Sequence, residues 1–269
     1  LWTGPMIWLT FSFVILSIFL INNKKDFLTT IFSFFILLFF LNVFEKTDSA
    51  DYHSPYQNIS VQYFNLSHTP MQIKSNNIWL QVPLNLSEDH YIEKNKSWYE
   101  LYSLPHRIKN FESKETLIVG SGVGNDVAAT LRDSNAKIDA VEIDPLVADL
   151  GVKFHPEKPY LDKRVKLTVN DARNFIKETK KKYDLIIYSV LDSHANLSGK
   201  GGVRLDSYVY TVESFFEAKQ KLNKHGIIFL SFAVSTREMG IKIYKMLNQS
   251  FKENPPLVFT RKDPNKFAE

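Results

Sequence analysis

The hydrophobic positions of the chain begin with two long, uninterrupted apolar runs. These runs cover residues 6–21 and 27–44, and neither contains a charged residue. A helix that crosses a bilayer needs about 20 mostly apolar residues, and the polar turn at 22–26 separates the two runs. Residues 1–44 therefore predict a transmembrane helical hairpin. Two buried core helices are disfavoured, because such helices usually show a polar face.

A second pattern, in which apolar and polar residues alternate, follows from residue 57. Three short segments alternate in this way, at 58–64, 70–75 and 77–84. A period of two is typical of half-buried antiparallel strands. We therefore expect a polar linker at 45–56 and a small antiparallel β-domain at 57–110, which includes a short helix at Trp98–Ile108.

From residue 111 to 269, short buried strands alternate with helices. The predicted strands are at 116–120, 137–144, 164–171, 183–190 and 226–234, and the predicted helices are at 126–132, 145–154, 172–180, 207–222 and 236–251. Strict alternation predicts an α/β domain with a mostly parallel sheet and helices on both faces.

Composition excludes several classes of protein. With 44% hydrophobic and 23% charged residues, the chain of 269 residues is not disordered. Without cysteine it has no disulfides, no thiolate metal site and no cysteine nucleophile. The net charge of +4 comes from interspersed charges, which gives no nucleic-acid signal. The histidines show no ligand spacing, so we predict no metal site.

The sharpest chemical signal is a glycine-rich turn between the first strand and helix of the α/β domain, Gly120-Ser121-Gly122-Val123-Gly124-Asn125. Glycines allow a tight turn and a close approach of ligand to backbone. Glu142 ends the next strand, where an acid binds ribose hydroxyls, and Asp171 ends the third strand at the same edge of the sheet. These residues predict a nucleotide site.

The glycine spacing separates two classes of ligand. Dinucleotide sites carry G-x-G-x-x-G, which would place a glycine or small residue at position 125. The chain has Asn125 there, and its third glycine is Gly124. This spacing favours an S-adenosyl ligand over a nicotinamide dinucleotide.

Several motifs together resemble one family. They are Ser54-Pro55-Tyr56-Gln57, the glycine turn, Val141-Glu142-Ile143-Asp144, Asn170-Asp171-Ala172-Arg173, Tyr183-Asp184-Leu185-Ile186 and Asp192 with its flanking loop. Over residues 54–234 the chain resembles the spermidine synthase-like polyamine aminopropyltransferases, in particular a membrane-fused bacterial branch.

The resemblance implies a Rossmann-like class I methyltransferase fold, a homodimer and a donor that is decarboxylated S-adenosylmethionine or S-adenosylmethionine, with no metal. This fold closes with an antiparallel pair after its fifth strand, and only one candidate strand, within 256–262, is present. We therefore expect either a missing C-terminal strand or an incomplete sheet edge.

By the same resemblance, Gln57 would contact the nucleoside, Glu142 the ribose, and Asp171 with Ala172 the adenine. The full set expected to bind the donor is Gln57, Gly120, Ser121, Gly122, Gly124, Asn125, Glu142, Ile143, Asp171, Ala172 and Ser189.

The chain departs from the family where the amine groups are handled. The family's G-G-G-D-G-G carries an Asp that holds the donor's amine, and Val123 stands at that position. Its D-S-x-D-P begins with the usual proton acceptor, and Ser189 stands there. Its Y-H-E reads Trp98-Tyr99-Glu100 here.

The remaining candidates concern the acceptor. An amine must lose a proton before it attacks the carbon next to a sulfonium, so a nearby carboxylate is useful as anchor and base. Asp192 is the first catalytic candidate and His194 the second, because its pKa lies near neutrality. Trp98, Tyr99, Asp206 and Tyr210 are expected to line the acceptor pocket.

These observations predict a membrane-anchored transferase that moves an aminopropyl group to a small amine in polyamine biosynthesis. Methyl transfer from S-adenosylmethionine to an unknown acceptor and a non-catalytic nucleoside-binding membrane module remain alternatives. Lys24 and Lys25 would orient the domain outward by the positive-inside rule. Because S-adenosyl donors are made in the cytoplasm, we expect an inner-membrane protein whose catalytic domain faces the cytoplasm.

Overall fold

Two apolar helices precede two β-sheets. The structure is a computed structural model and describes residues 5–44, 49–64, 69–75, 78–90, 95–108, 111–190, 208–232, 234 and 236–259.

The N-terminal helices are α1 (Pro5–Leu20) and α2 (Lys24–Phe44). They pack through Phe13 and Phe34, whose rings stack 3.9 Å apart between centroids. No helix in the described ranges combines the length and apolar character that crossing a membrane requires. The predicted transmembrane hairpin is therefore not found in this part of the chain.

The small sheet that follows is antiparallel, as predicted, and its strands run in the order β1-β2-β3-β4. Their bounds are β1 Ser49–His53, β2 Asn58–Tyr63, β3 Met71–Ser75 and β4 Ile78–Gln81. The strand β1 lies inside the segment predicted to be a linker. Its register with β2 pairs Tyr52 with Ile59, and the hydroxyls of Tyr52 and Tyr63 lie 3.1 Å apart, so the polar segment is held by contacts with β2.

Helix α3 (Lys96–Ser103) leads to the larger sheet, whose five strands are all parallel and run in the order β7-β6-β5-β8-β9. The remaining bounds are β5 Glu115–Val119, α4 Asn125–Asp133, β6 Lys137–Glu142, α5 Pro145–Phe154, β7 Val165–Val169, α6 Ala172–Glu178, β8 Tyr183–Tyr188, α7 Val212–Lys219, β9 Leu222–Leu230 and α8 Arg237–Ser250. The predicted alternation of strands and helices is confirmed.

The end of the α/β domain differs from the prediction. Strand β9 begins at Leu222, four residues earlier than the pattern indicated, and α7 ends earlier than predicted, at Lys219. Residues 256–259 join no strand, so the described part of the predicted last strand is absent. Within the described chain, β9 is consequently an edge of the sheet.

One hydrophobic cluster joins the small sheet to the α/β domain. Its fully buried members come from β2, β3, the glycine turn and α5, namely Ile59, Val61, Met71, Ile73, Val123, Val147 and Leu150. Burial of aliphatic side chains stabilises such a contact by about 25 cal/mol per Å² of apolar surface. The cluster therefore fixes the small sheet over the carboxyl edge of the parallel strands.

The substitution Ile73→Ala tests this cluster. Ile73 is fully buried, so the variant should lower the free energy of unfolding by about 2–5 kcal/mol through lost burial and a residual cavity. Ile241→Ala is the matched control, because Ile241 is 43% exposed on α8. Urea unfolding of both variants in mild detergent measures the difference. Equal losses would contradict the assignment of this cluster as a core.

Candidate functional site

The predicted nucleotide residues converge at the carboxyl edge of the parallel sheet. The glycine turn follows β5, Glu142 ends β6, Asp171 follows β7 and Ser189 follows β8. From β5 the chain continues to one side of the sheet through β6 and β7, whereas β8 and β9 lie on the other side. Ligands of open α/β sheets bind at such a switch point.

The glycine turn needs glycine for a conformational reason. Gly122 and Gly124 have φ angles of +55° and +108°, in the left-handed region that disfavours side chains. Gly122 also lies against the side-chain amide of Gln81, whose atoms would come within 2.2–2.7 Å of a Cβ. The Gln81 Oε1 atom accepts a hydrogen bond from Val123 N at 2.8 Å. The end of β4 thus rests directly on the turn.

Glu142 holds the turn from the neighbouring strand. Its carboxylate is 8% exposed, and its two oxygens accept from Gly122 N at 2.8 Å and from Asp144 N at 3.0 Å. Burial raises the pKa of Glu142, and the backbone hydrogen bonds oppose that rise. Each carboxylate oxygen has two lone pairs, so Glu142 keeps acceptor capacity for a ribose hydroxyl.

The side chain of Gln57 makes hydrogen bonds to two other side chains. Its Nε2 donates to Asp144 Oδ2 at 3.0 Å, and its Oε1 accepts from Ser75 at 2.6 Å. Asp144 also caps α5 and accepts from Ser54 at 2.7 Å. The motif around Gln57 therefore joins the small sheet to the segment after Glu142. Its contact with a nucleoside stays a prediction.

The side chain of Asn125 makes hydrogen bonds to other parts of the protein. Its Oδ1 accepts from Leu84 N at 3.0 Å, and its Nδ2 donates to Val82 O at 2.9 Å and to the Tyr102 hydroxyl at 3.2 Å. His155 Nε2 lies 3.2 Å from the same Oδ1. Asn125 thus ties the chain after β4 to the start of α4, and its contact with the donor stays a prediction.

The protonation of His155 follows from these contacts. Its Nδ1 accepts from Glu157 N at 3.1 Å, so the ring proton belongs on Nε2, which donates to Asn125. Burial lowers the pKa of His155 to about 3, with smaller contributions from Lys158 and Arg132. The imidazole is therefore a neutral structural group.

The adenine-side candidates lie at the start of α6 and in the bend after β6. Asp171 is the N-cap of α6, and its Oδ1 accepts from Asn174 N at 2.9 Å. Ala172 is buried behind it, while Ile143 is half-buried between Glu142 and Asp144. The contact of these residues with an adenine stays a prediction.

The acceptor candidates are dispersed. The Tyr99 ring lies between the guanidinium groups of Arg107 and Arg132, 5.4 and 4.9 Å from its centroid, at the end of α4 remote from the glycine turn. Trp98 is 39% exposed. Tyr210 packs edge-on against Phe232 at 4.9 Å. The other three candidates, Asp192, His194 and Asp206, lie outside the described residues.

Three site residues were missed by the sequence reasoning. Gln81 covers the turn, and Tyr160 lies 2.9 Å from Ser121 Oγ and donates to Gly122 O at 2.6 Å. Asp126, in the first turn of α4, lies against Ser189. Of these three residues, only Asp126 could have been found from the local sequence, because it directly follows the glycine turn.

Val123 is part of the hydrophobic core. Its side chain is fully buried in the hydrophobic cluster shared with the small sheet. The position where the resemblance implies an amine-binding Asp is therefore held by a packing residue. A charge at this position would be buried without a partner, which costs several kcal/mol.

Known proteins share this fold and these motifs. The family described as "Spermine/spermidine synthase domain" matches residues 101–261, more than half of the chain. A polyamine aminopropyltransferase of Saccharolobus solfataricus is 34% identical over 154 residues, which cover 52% of this chain and 46% of that protein. Polyamine aminopropyltransferase 2 of Aquifex aeolicus is 30% identical over 159 residues, which cover 56% and 30%. The chain thus matches less than half the length of these relatives.

The backbone fold of the chain also resembles that of solved structures. A spermidine synthase in complex with the transition-state analogue AdoDATO superimposes with a TM-score of 0.56 and 16% identity, over 76% of this chain and 63% of that one. The spermidine synthase of Thermotoga maritima gives a TM-score of 0.53, also at 16% identity, over 76% and 62%. At this identity the comparison shows a common fold.

The substitution His155→Gln tests the buried imidazole. Because the folded pKa lies below the unfolded one, the unfolded chain binds an extra proton between about pH 6.5 and pH 3, and stability falls as the pH falls through this window. At pH 5 the loss should be about 2 kcal/mol. Gln cannot titrate, so urea unfolding at pH 7 and pH 5 should show a smaller loss for the variant.

His90→Gln is the control for this measurement, because His90 is exposed. It should lose as much stability as the unsubstituted chain between pH 7 and pH 5. An identical loss in His155→Gln would contradict a neutral buried imidazole.

Proposed function

Since the chain belongs to the spermine/spermidine synthase family, we propose that it transfers an aminopropyl group from decarboxylated S-adenosylmethionine to a small amine, in polyamine biosynthesis. The observation that carries this proposal is the glycine turn held by Glu142 at the switch point of the sheet. The curated relatives are polyamine aminopropyltransferases, which are transferase enzymes.

The proposed reaction requires the protein mainly to position the donor and the acceptor. The acceptor nitrogen attacks the carbon attached to the sulfonium, the carbon–sulfur bond breaks, and the bonding pair returns to sulfur. The protein must align the two reactants and accept a proton from the amine. Glu142 would orient the ribose, and Asp171 with Ala172 would contact the adenine.

Methyl transfer from S-adenosylmethionine is the second candidate. It is favoured by Val123, whose side chain is buried in an apolar cluster and offers no charge to the aminopropyl amine of a decarboxylated donor. The two reactions share the nucleoside site, so the donor's tail and the acceptor distinguish them.

A turnover experiment separates these candidates. The full chain is incubated with each donor and a mixture of putrescine, spermidine and other aliphatic amines, and the products are identified by mass. An aminopropylated amine formed only with the decarboxylated donor supports the first proposal. A methylated product formed with S-adenosylmethionine replaces it with the second.

The substitution Glu142→Gln tests the donor site itself. An amide has one acceptor oxygen, so it cannot accept from both Gly122 N and Asp144 N and still bind a ribose hydroxyl. We expect the affinity for methylthioadenosine, measured by calorimetry, to fall by about tenfold or more. Glu178→Gln is the control, because Glu178 is exposed on α6. Unchanged affinity in Glu142→Gln would contradict the assignment.

We also propose that the helix pair α1–α2 attaches the protein to the inner membrane, with the α/β domain on the cytoplasmic side. Large apolar side chains are exposed on both helices, including Phe11 (56%), Phe19 (80%) and Phe35 (63%). Exposed apolar surface of this extent favours contact with lipid. Association with lipid through this surface does not require either helix to cross the bilayer.

Membrane fractionation tests the attachment. The full chain should sediment with membranes and resist an alkaline wash. Replacing Phe11, Phe19 and Phe35 together by Lys should release it, because each charge opposes burial in lipid. The triple change Lys180→Gln, Lys182→Gln and Lys224→Gln, at exposed sites of the α/β domain, is the control. An unsubstituted chain that stays in the supernatant would contradict the proposal.

A further inference from the structure

A carboxylate lies beside the position where the family's proton acceptor is absent. Asp126 is the second residue of α4, two residues after the last glycine of the turn. Its side chain lies against Ser189, the residue that follows β8. Ser189 N donates to Val119 O at 3.1 Å, so Ser189 lies beside the residue that ends β5. Asp126 and Ser189 therefore meet at the switch point.

The charge of Asp126 acts on the hydroxyl groups of two neighbouring tyrosines. Burial raises the pKa of Tyr102, and the Asp126 charge adds to that rise. Burial also raises the pKa of Tyr160, which stands on the glycine turn, and the charges of Glu142 and Asp126 contribute. The carboxylate is thus placed between α3, the turn and β8.

Asp126 has no cationic partner among the described residues. Burial raises its pKa to about 6, and the Ser189 hydroxyl opposes this rise by a smaller amount. The Asp126 side chain is half-buried, and a carboxylate withdrawn from water without a counter-charge is costly. A cation from outside would therefore be stabilised at this position.

Ser189 is a buried hydroxyl at the same position. It is 5% exposed, and its Oγ makes no hydrogen bond of good geometry to any described residue. Buried hydroxyl groups are nearly always hydrogen-bonded, so an orphan of this kind calls for a partner. An amine nitrogen between Asp126 and Ser189 would satisfy both side chains.

We propose that Asp126 binds the ammonium group of an aliphatic amine acceptor, with Ser189 as a second contact, and accepts its proton before transfer. This inference rests on the proposed function and names the acceptor subsite of the same site. It assigns the base to the first turn of α4, where the family's motif has none.

The step balances. The bound ammonium gives one proton to the Asp126 carboxylate, which frees the nitrogen lone pair. The nitrogen attacks the carbon attached to the sulfonium, the carbon–nitrogen bond forms, and the carbon–sulfur bond breaks to leave a neutral thioether. The product nitrogen carries the positive charge, and Asp126 returns its proton to solvent.

Amine binding to the full chain tests the proposal without requiring turnover. Putrescine and spermidine are titrated calorimetrically into the protein saturated with methylthioadenosine. Asp126→Asn should weaken amine binding by about tenfold or more, the size expected for a hydrogen bond to a charged group. Methylthioadenosine affinity should stay within about twofold, because the proposed ribose contact is made by Glu142 and not by Asp126. Where the unsubstituted chain turns over, Asp126→Asn should lower kcat by about a hundredfold or more.

Two further variants separate a direct role from a structural one. Asp149→Asn is the control, because Asp149 is paired on the surface with Lys153 at 2.7 Å, and it should change neither quantity. The double variant D126N/S189D moves the carboxylate across the same contact. It should recover at least part of the amine affinity, which a merely structural role of Asp126 would not allow.

The possible outcomes are distinct. Unchanged amine affinity in a folded Asp126→Asn protein, or no amine binding by the unsubstituted chain, would overturn the inference. If amine binding depends on Asp126 while neither donor is turned over, the subsite stands and the proposed transfer fails. If transfer occurs and Asp126→Asn retains it with an unchanged KM for the amine, the transfer stands and the subsite fails.

Discussion

The hydrogen bond from Gly122 N to the Glu142 carboxylate is the contact on which the rest of the site depends. It joins the turn after β5 to the end of β6, and its 2.8 Å length fixes a backbone that has a positive φ at Gly122. The second oxygen of Glu142 orders Asp144, which caps α5 and receives Gln57. One buried carboxylate thus aligns two strand ends, a helix and the small sheet.

Residue periodicity was enough to predict the α/β domain, because parallel strands buried on both faces and amphipathic helices leave clear local patterns. Strand β1 was not predicted, since its sequence is mostly polar and its strand conformation depends on pairing with β2. The glycine turn, Glu142 and Asp171 were found from spacing. Gln81 was not, because its contact with the turn joins residues 42 positions apart, and no local pattern reports such a contact.

Val123 departs from the family motif, and the fold shows which contacts this residue makes. Read as a sequence, it is a missing acid beside the donor. In the fold it is a core residue that the small sheet covers, together with Ile73 and Leu150. In the proposed amine subsite, Asp126 supplies a carboxylate at the switch point from the next helix rather than from a strand end.

The four partners of Asn125 give the small sheet a thermodynamic role. Docking of the segment after β4 and the conformation of the glycine turn share one side-chain amide, so the two are linked equilibria. A ligand that prefers the ordered turn must also strengthen the docking of the sheet by the same free energy, and loosening the sheet must weaken the ligand equally. For the proposed nucleotide site, docking of the small sheet and binding of the ligand are therefore coupled within one chain.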